Sequence, residues 1–125
     1  MAGAAQHLPR QVPIEAYGTG GFRFADMSHR GSLLCLPSGL WAWPVTRPDQ
    51  IDDASLTPVF AEAAEIDLFI LGSGPQMWPM PEALRWRMRD AQIGVEILST
   101  GAAIRTYNIL LGERRRVAAG LIAVE

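Results

Sequence analysis

The chain has 125 residues, 49 % hydrophobic and 19 % charged, with a formal net charge of −2. That is the common size of one domain, long enough to bury a core without disulfide or metal staples. The near-neutral charge excludes a strong field for nucleic acid or an anionic membrane, and the single cysteine, Cys35, excludes an intramolecular disulfide.

Met1 to Leu8 has no basic stretch leading into an apolar run, so no targeting segment is read there. No run of about 18 apolar residues occurs anywhere, so the chain is not expected to be membrane-embedded, and a cytoplasmic protein is the expectation. Residues 1–11 are small and polar and read as a flexible tail. Residues 12–125 read as one domain.

From Val12 to Val45 the pattern is that of β-structure. Phe22 and Phe24 alternate with Arg23 and Ala25, which is strand period. Ser28-His29-Arg30-Gly31 is read as a turn, and Ser32–Leu36 as an apolar strand. Pro37-Ser38-Gly39 turns the chain back into Leu40–Val45, which makes a hairpin. Thr57-Pro58 reads as an N-cap and first position of a short helix reaching about Ala64. Ile66–Leu71 is a nearly continuous apolar run, as in a strand covered on both faces.

A second helix is predicted from Pro81, with Leu84, Met88 and Ala91 on one stripe. Val95–Leu98 is the next strand. The third helix follows Ser99-Thr100 and carries Ala103, Ile104, Tyr107, Leu110 and Leu111 inward, with Gly112 closing it. Arg116–Val124 is the last strand. The order is β-rich, then α-β-α-β-α-β, which predicts an α/β domain with parallel strands joined by right-handed crossovers. The N-terminal hairpin either extends that sheet or covers it.

Ligands of open α/β sheets bind at strand C-terminal ends. Two loops sit there, Gly72-Ser73-Gly74-Pro75 and Ser99-Thr100-Gly101, and they define a candidate crevice of Gly72, Ser73, Gly74, Thr100, Arg105 and Asn108. Neither loop matches a Walker A sequence or the dinucleotide fingerprint, and turns need such glycines in any case. Ser73 lacks the nucleophile-elbow spacing, so no catalytic residue is assigned. All eleven basic residues are arginine, which excludes lysine Schiff-base chemistry. Cys35, within Leu33-Leu34-Cys35-Leu36, reads as a buried small hydrophobe, and with only His7 and His29 beside it no metal site is assembled. No cofactor is expected. The acids Asp52, Asp53, Glu62 and Glu65 read as solvated surface.

Arg114 and Arg115, in the cluster Arg114-Arg115-Arg116, are candidate contacts for an acidic partner or phosphate, or a solvated turn complementing a helix C-terminus. Trp78 lies in Gln76-Met77-Trp78-Pro79-Met80-Pro81, where it either forms a partner surface or folds over the core. Asn108 is a mediocre helix former, so a specific hydrogen bond is expected of it, to a loop or to a ligand.

Thr100-Gly101-Ala102-Ala103-Ile104-Arg105-Thr106-Tyr107-Asn108-Ile109-Leu110, followed by Glu113 and Ala118-Ala119-Gly120-Leu121-Ile122, resembles the signature of the complex I assembly factor 3 family and its bacterial and archaeal relatives of unknown function. Leu71-Gly72-Ser73-Gly74 and Gly94-Val95-Glu96 are similar to two further stretches of that family, and the likeness spans roughly residues 12 to 123. Arg114 stands where the family usually has glycine. The resemblance implies a three-layer α/β fold with a mixed, largely parallel central sheet and an additional small antiparallel β layer. It also implies a non-enzymatic interaction or assembly protein with a protein partner; the net negative charge and the lack of aromatic residues among the arginines give the separate expectation of no nucleic acid. The alternative is a small-molecule-binding or enzymatic domain that uses the strand-end crevice. Oligomeric state is not legible.

Overall fold

A computed structural model describes residues 6–125. The elements are β1 (Gln6–Leu8), β2 (Ala16–Gly18), β3 (Gly21–Phe24), β4 (Met27–Arg30), β5 (Ser32–Leu36), β6 (Gly39–Trp43), α1 (Thr57–Ala61), β7 (Leu68–Gly72), α2 (Glu82–Asp90), β8 (Gly94–Leu98), α3 (Thr100–Gly112) and β9 (Val117–Leu121). Residues 1–5 of the expected tail lie outside the described residues. The remainder of that tail is corrected: Gln6–Leu8 is a strand, antiparallel to β6.

Six strands form a mixed sheet in the order β1-β6-β5-β9-β7-β8. Its parallel part is β9-β7-β8, joined by the helical crossovers that the alternating pattern requires. The expected hairpin is β5-β6, in register from Ser32↔Trp43 to Leu36↔Gly39. It extends the sheet, because β5 pairs antiparallel with β9. The separate β layer is a three-stranded antiparallel meander, β2-β3-β4.

Phe22 and Phe24 point inward from β3 and Arg23 outward, as period two demands. The expected turn at Ser28–Gly31 is instead mostly strand β4. The turn comes earlier, at Ala25 and Asp26, both with φ near +50° (47° and 62°). Two successive left-handed residues make the tight hairpin turn whose twist matches the strands. Neither residue is glycine, so the sequence carried little sign of it.

The central sheet is buried on both faces. Leu34, Leu36, Trp43, Phe69, Leu71 and Ala118 face Val59 of α1 and Leu84 and Met88 of α2. Leu33, Cys35, Ile70, Ala119 and Leu121 face Ile104 and Tyr107 of α3 together with Phe22 and Phe24 of the meander. Three layers result. Each fully buried Leu, Ile or Phe contributes about 2 kcal/mol of transfer free energy.

Helix boundaries shift slightly from expectation. Leu56, not Thr57, is the N-cap of α1, and the Thr57 hydroxyl donates to the Asp53 carbonyl at 3.1 Å. Glu62 is not simply solvated: its carboxylate accepts the Ser38 N–H at 2.9 Å and the Ser38 hydroxyl at 2.5 Å, pinning the β5-β6 turn.

Candidate functional site

The C-terminal ends of β7 and β8 are tied together through Thr100. Its hydroxyl accepts the Gly74 N–H at 3.0 Å and donates to the Ile122 carbonyl at 2.7 Å. Its own N–H donates to the Gly74 carbonyl at 2.8 Å. Thr100 is 1 % exposed, so these bonds form in a dry environment where a lost partner is costly. Ser73 is equally enclosed. Its hydroxyl donates to the Gln76 carbonyl at 2.5 Å and contacts the Leu98 carbonyl at 3.2 Å. Both hydroxyls are therefore spent on backbone carbonyls.

Gly72 has a packing role. A Cβ there would lie 3.0 Å from Thr100 Cα and 3.1 Å from both the Ala103 Cβ and a Leu121 methyl, so its absence lets α3 start hard against β7. Gly74 adopts φ +101°, the left-handed side where glycine carries no penalty.

Beyond these groups lies a concavity of about 650 Å³, lined by Ser73, Gly74, Thr100 and Arg105 together with Tyr17 and Arg47. Tyr17 comes from the meander, and its hydroxyl lies directly over Gly101 of α3. Arg47 pairs with Asp49 at 3.1 Å. Arg105 is exposed, and no carboxylate pairs with it among the described residues. The Gly101 and Ala102 N–H groups of the first turn of α3 have no acceptor among the described residues, so they and the Arg105 guanidinium bring positive charge to this mouth, while Asp49 offsets Arg47 and Glu125 adds negative charge to the lining. Local sequence gave no signal for Tyr17 or Arg47, because topology alone brings them here.

Two candidates of the predicted crevice fall outside it. Gly72 lies beneath the floor, and Asn108 is two turns further along α3, bonded to Ile14. The predicted partner surface also divides. Trp78 is half-buried against the α2 side of the core, while Met77 beside it is 70 % exposed. Arg114 and Arg115 are exposed at the opposite end of the parallel strands. There Arg116 pairs with Asp67 at 3.0 Å, which holds its pKa above the usual arginine value.

Two buried groups near α3 titrate abnormally. Burial pushes the Cys35 thiol up to about 12, so it stays an unreactive thiol. The Tyr107 hydroxyl beside it is also raised, by burial first and by Cys35 second. Among the described residues no group of three or more metal-ligating side chains converges, and no helix is long and apolar enough to cross a membrane.

A six-stranded mixed sheet with helices on one face and helix plus meander on the other defines a three-layer α/β domain. A Bordetella pertussis protein described as an Mth938-like domain shares this fold, at 24 % identity and TM-score 0.78 over 98 % of this chain and 92 % of that one. Residues 14–122 match the family described as protein of unknown function (DUF498/DUF598), and the chain belongs to that family.

An uncharacterised protein of Rhodobacter capsulatus is 36 % identical over 89 % of this chain and 84 % of its own length. The NADH dehydrogenase (ubiquinone) 1 alpha subcomplex assembly factor 3 of Drosophila melanogaster is 35 % identical over 87 % of this chain and 57 % of its own length. The chain spans 57–63 % of the length of the animal assembly factors it matches. Among solved structures, a Bartonella henselae protein described as an outer membrane protein superposes with TM-score 0.92 at 46 % identity, covering 95 % of this chain and all (100 %) of that one. The Rpa2829 protein of Rhodopseudomonas palustris gives TM-score 0.85 at 53 % identity, covering 99 % and 93 %.

Proposed function

We propose that this chain is a non-enzymatic interaction protein that acts from the cytoplasm in the assembly of a respiratory membrane complex. The observation that supports the reading is homology across the whole domain: animal proteins matched over 87–92 % of this chain carry the name assembly factor 3. The consumed Ser73 and Thr100 hydroxyls fit a structural use rather than a nucleophilic one. The partner is a protein, met through exposed surface such as that beside Trp78 and at Arg114 and Arg115.

The test is capture with a tagged chain in its native host, after cross-linking. Enrichment of complex I subunits over a tag-only control is expected, together with less assembled complex I on native gels when the chain is depleted. Unchanged complex I and no enrichment would sink the proposal.

A second reading is favoured by one observation, the concavity where the Arg105 guanidinium lies beside the free amides of Gly101 and Ala102. It makes the domain a binder of small anions. A ligand that prefers the folded state raises its stability. Inorganic phosphate and simple dicarboxylates should therefore raise the melting temperature of the chain and not of Arg105→Ala. No shift at millimolar concentration removes this reading.

A further inference from the structure

The central sheet has two edges, and they differ. β1 is three residues long with a register irregularity between Gln6 and Leu8, a form that discourages further pairing. β8 has five residues, in unbroken parallel register with β7. The Gly94 N–H donates to the Asp67 carbonyl and the Ser73 N–H to the Leu98 carbonyl, both at 2.9 Å. Ladder bonding alternates along a parallel strand, so Gly94, Glu96 and Leu98 address β7 while the N–H and C=O of Val95 and Ile97 face outward. No hydrogen bond among the described residues reaches those four groups.

This edge opens into a groove of about 440 Å³, with Met77, Trp78, Pro79 and Arg85 on its far wall. We infer that the open edge of β8 is a strand-addition site for an extended partner segment that carries a basic residue between two apolar ones. The inference deepens the reading of the chain as an interaction protein and rests on it.

Charge and facing select that occupant. Val95 and Ile97 point to the α2 side of the sheet. Residues directly opposite them on an added strand would face the Met77-Trp78-Pro79 wall, and apolar side chains fill it. Glu96 points the other way, is exposed, and has no ion-pair partner among the described residues. Opposite charges on directly facing residues stabilise a strand pair and like charges destabilise it, so the residue between the two apolar ones is cationic. The same rule disfavours a second copy of this chain. A two-fold pairing that satisfies all four groups sets Val95 against the second copy's Ile97, and Glu96 directly against the second copy's Glu96. Main-chain bonds then supply affinity and the alternate side chains supply specificity.

The probes are two short capped peptides, one alternating valine with lysine and one alternating valine with glutamate, titrated into the isotope-labelled chain. The lysine peptide is expected to move the Val95 and Ile97 amide resonances, slow their hydrogen exchange, and bind roughly tenfold more tightly than the glutamate peptide, about 1.4 kcal/mol. Glu96→Arg should reverse that order. Val95→Pro removes an outward N–H that β7 does not use, a position where an edge strand tolerates proline, so it should fold and lose binding.

Unmoved Val95 and Ile97 resonances would overturn the inference. So would an unchanged peptide order in Glu96→Arg, or a concentration-dependent dimer that Val95→Pro abolishes. The outcome is separable from the assembly reading. Complex I capture that survives Val95→Pro would locate the partner elsewhere, and peptide binding without capture would sink only the assembly role.

Discussion

The side-chain amide of Asn108 closes both backbone groups of Ile14: Oδ1 accepts the Ile14 N–H and Nδ2 donates to its carbonyl, each at 2.9 Å. One residue earlier, the Tyr107 hydroxyl donates to the Val12 carbonyl at 3.1 Å. Helix α3 thus holds the segment that leads into the meander by side-chain bonds to its backbone. Asn108→Ala should destabilise the chain by about 2 kcal/mol, because two partly buried backbone groups lose their partners at once. Asn108→Asp keeps the acceptor but sets a carboxylate oxygen against the Ile14 carbonyl oxygen, so it should cost at least as much as alanine at neutral pH. Urea unfolding at constant slope is the measurement. A cost below about 0.5 kcal/mol would mean that water replaces the clasp.

Arg114 offers a gain in stability. It has φ +61° and follows the C-cap Glu113 of α3. The Arg115 N–H donates to the Leu110 carbonyl at 3.0 Å and the Arg114 N–H to the Leu111 carbonyl at 2.9 Å. These are the two bonds of a Schellman cap, whose left-handed position favours glycine. Gly112, expected to close the helix, is still helical. Arg114→Gly should stabilise by about 1 kcal/mol, the left-handed cost of an ordinary residue, and raise the melting temperature by about 3–5 °C. Arg114→Ala should give no such gain. Equal effects of the two substitutions would point to charge instead of backbone.

Gly120 should resist any side chain. A Cβ there would lie 2.8 Å from Phe69 Cζ and 2.9 Å from Trp43 Cζ3. Both rings are buried, and the Trp43 indole is anchored by its N–H, which donates to the Ser55 carbonyl at 3.0 Å. Overpacking of this kind costs about 1–3 kcal/mol. Gly120→Ala should therefore lower the denaturation midpoint and alter tryptophan fluorescence. An unchanged midpoint would mean that the rings move freely.

Periodicity and turn residues made the β5-β6 hairpin, the apolar β7, the inward stripe of α3 and the crossover order legible. They did not reveal β4 or its turn, because Ala25 and Asp26 take left-handed conformations that their side chains do not advertise. At the strand ends the glycine loops line the concavity. Which groups share the concavity depended on tertiary placement: Tyr17 and Arg47 arrive from distant segments, while Asn108 turns away to Ile14. The bonding state of Ser73 and Thr100 was equally hidden, since a hydroxyl reads the same whether it is free or tied to a carbonyl. The open edge of β8 is a property of strand order, which no local pattern encodes.

His7 gives the fold an acid-sensitive point. Its ring centroid lies 4.3 Å from that of His29, tilted by 50°, and its Nε2 is buried with no partner among the described residues. Burial first, and the neighbouring His29 second, hold its pKa below the usual 6.5. The folded state therefore prefers neutral His7, whereas the unfolded chain takes up the proton at higher pH. Linkage fixes the sign: the stability contributed by neutral His7 is fully present above 6.5 and is lost as pH falls through the depressed folded value. Urea midpoints should decline below that pH, and His7→Phe, which cannot be protonated, should decline less steeply over the same window. The His7 ring resonance, followed by NMR, should titrate below its free-peptide position. Parallel pH slopes for the two proteins would show that His7 is not the group responsible.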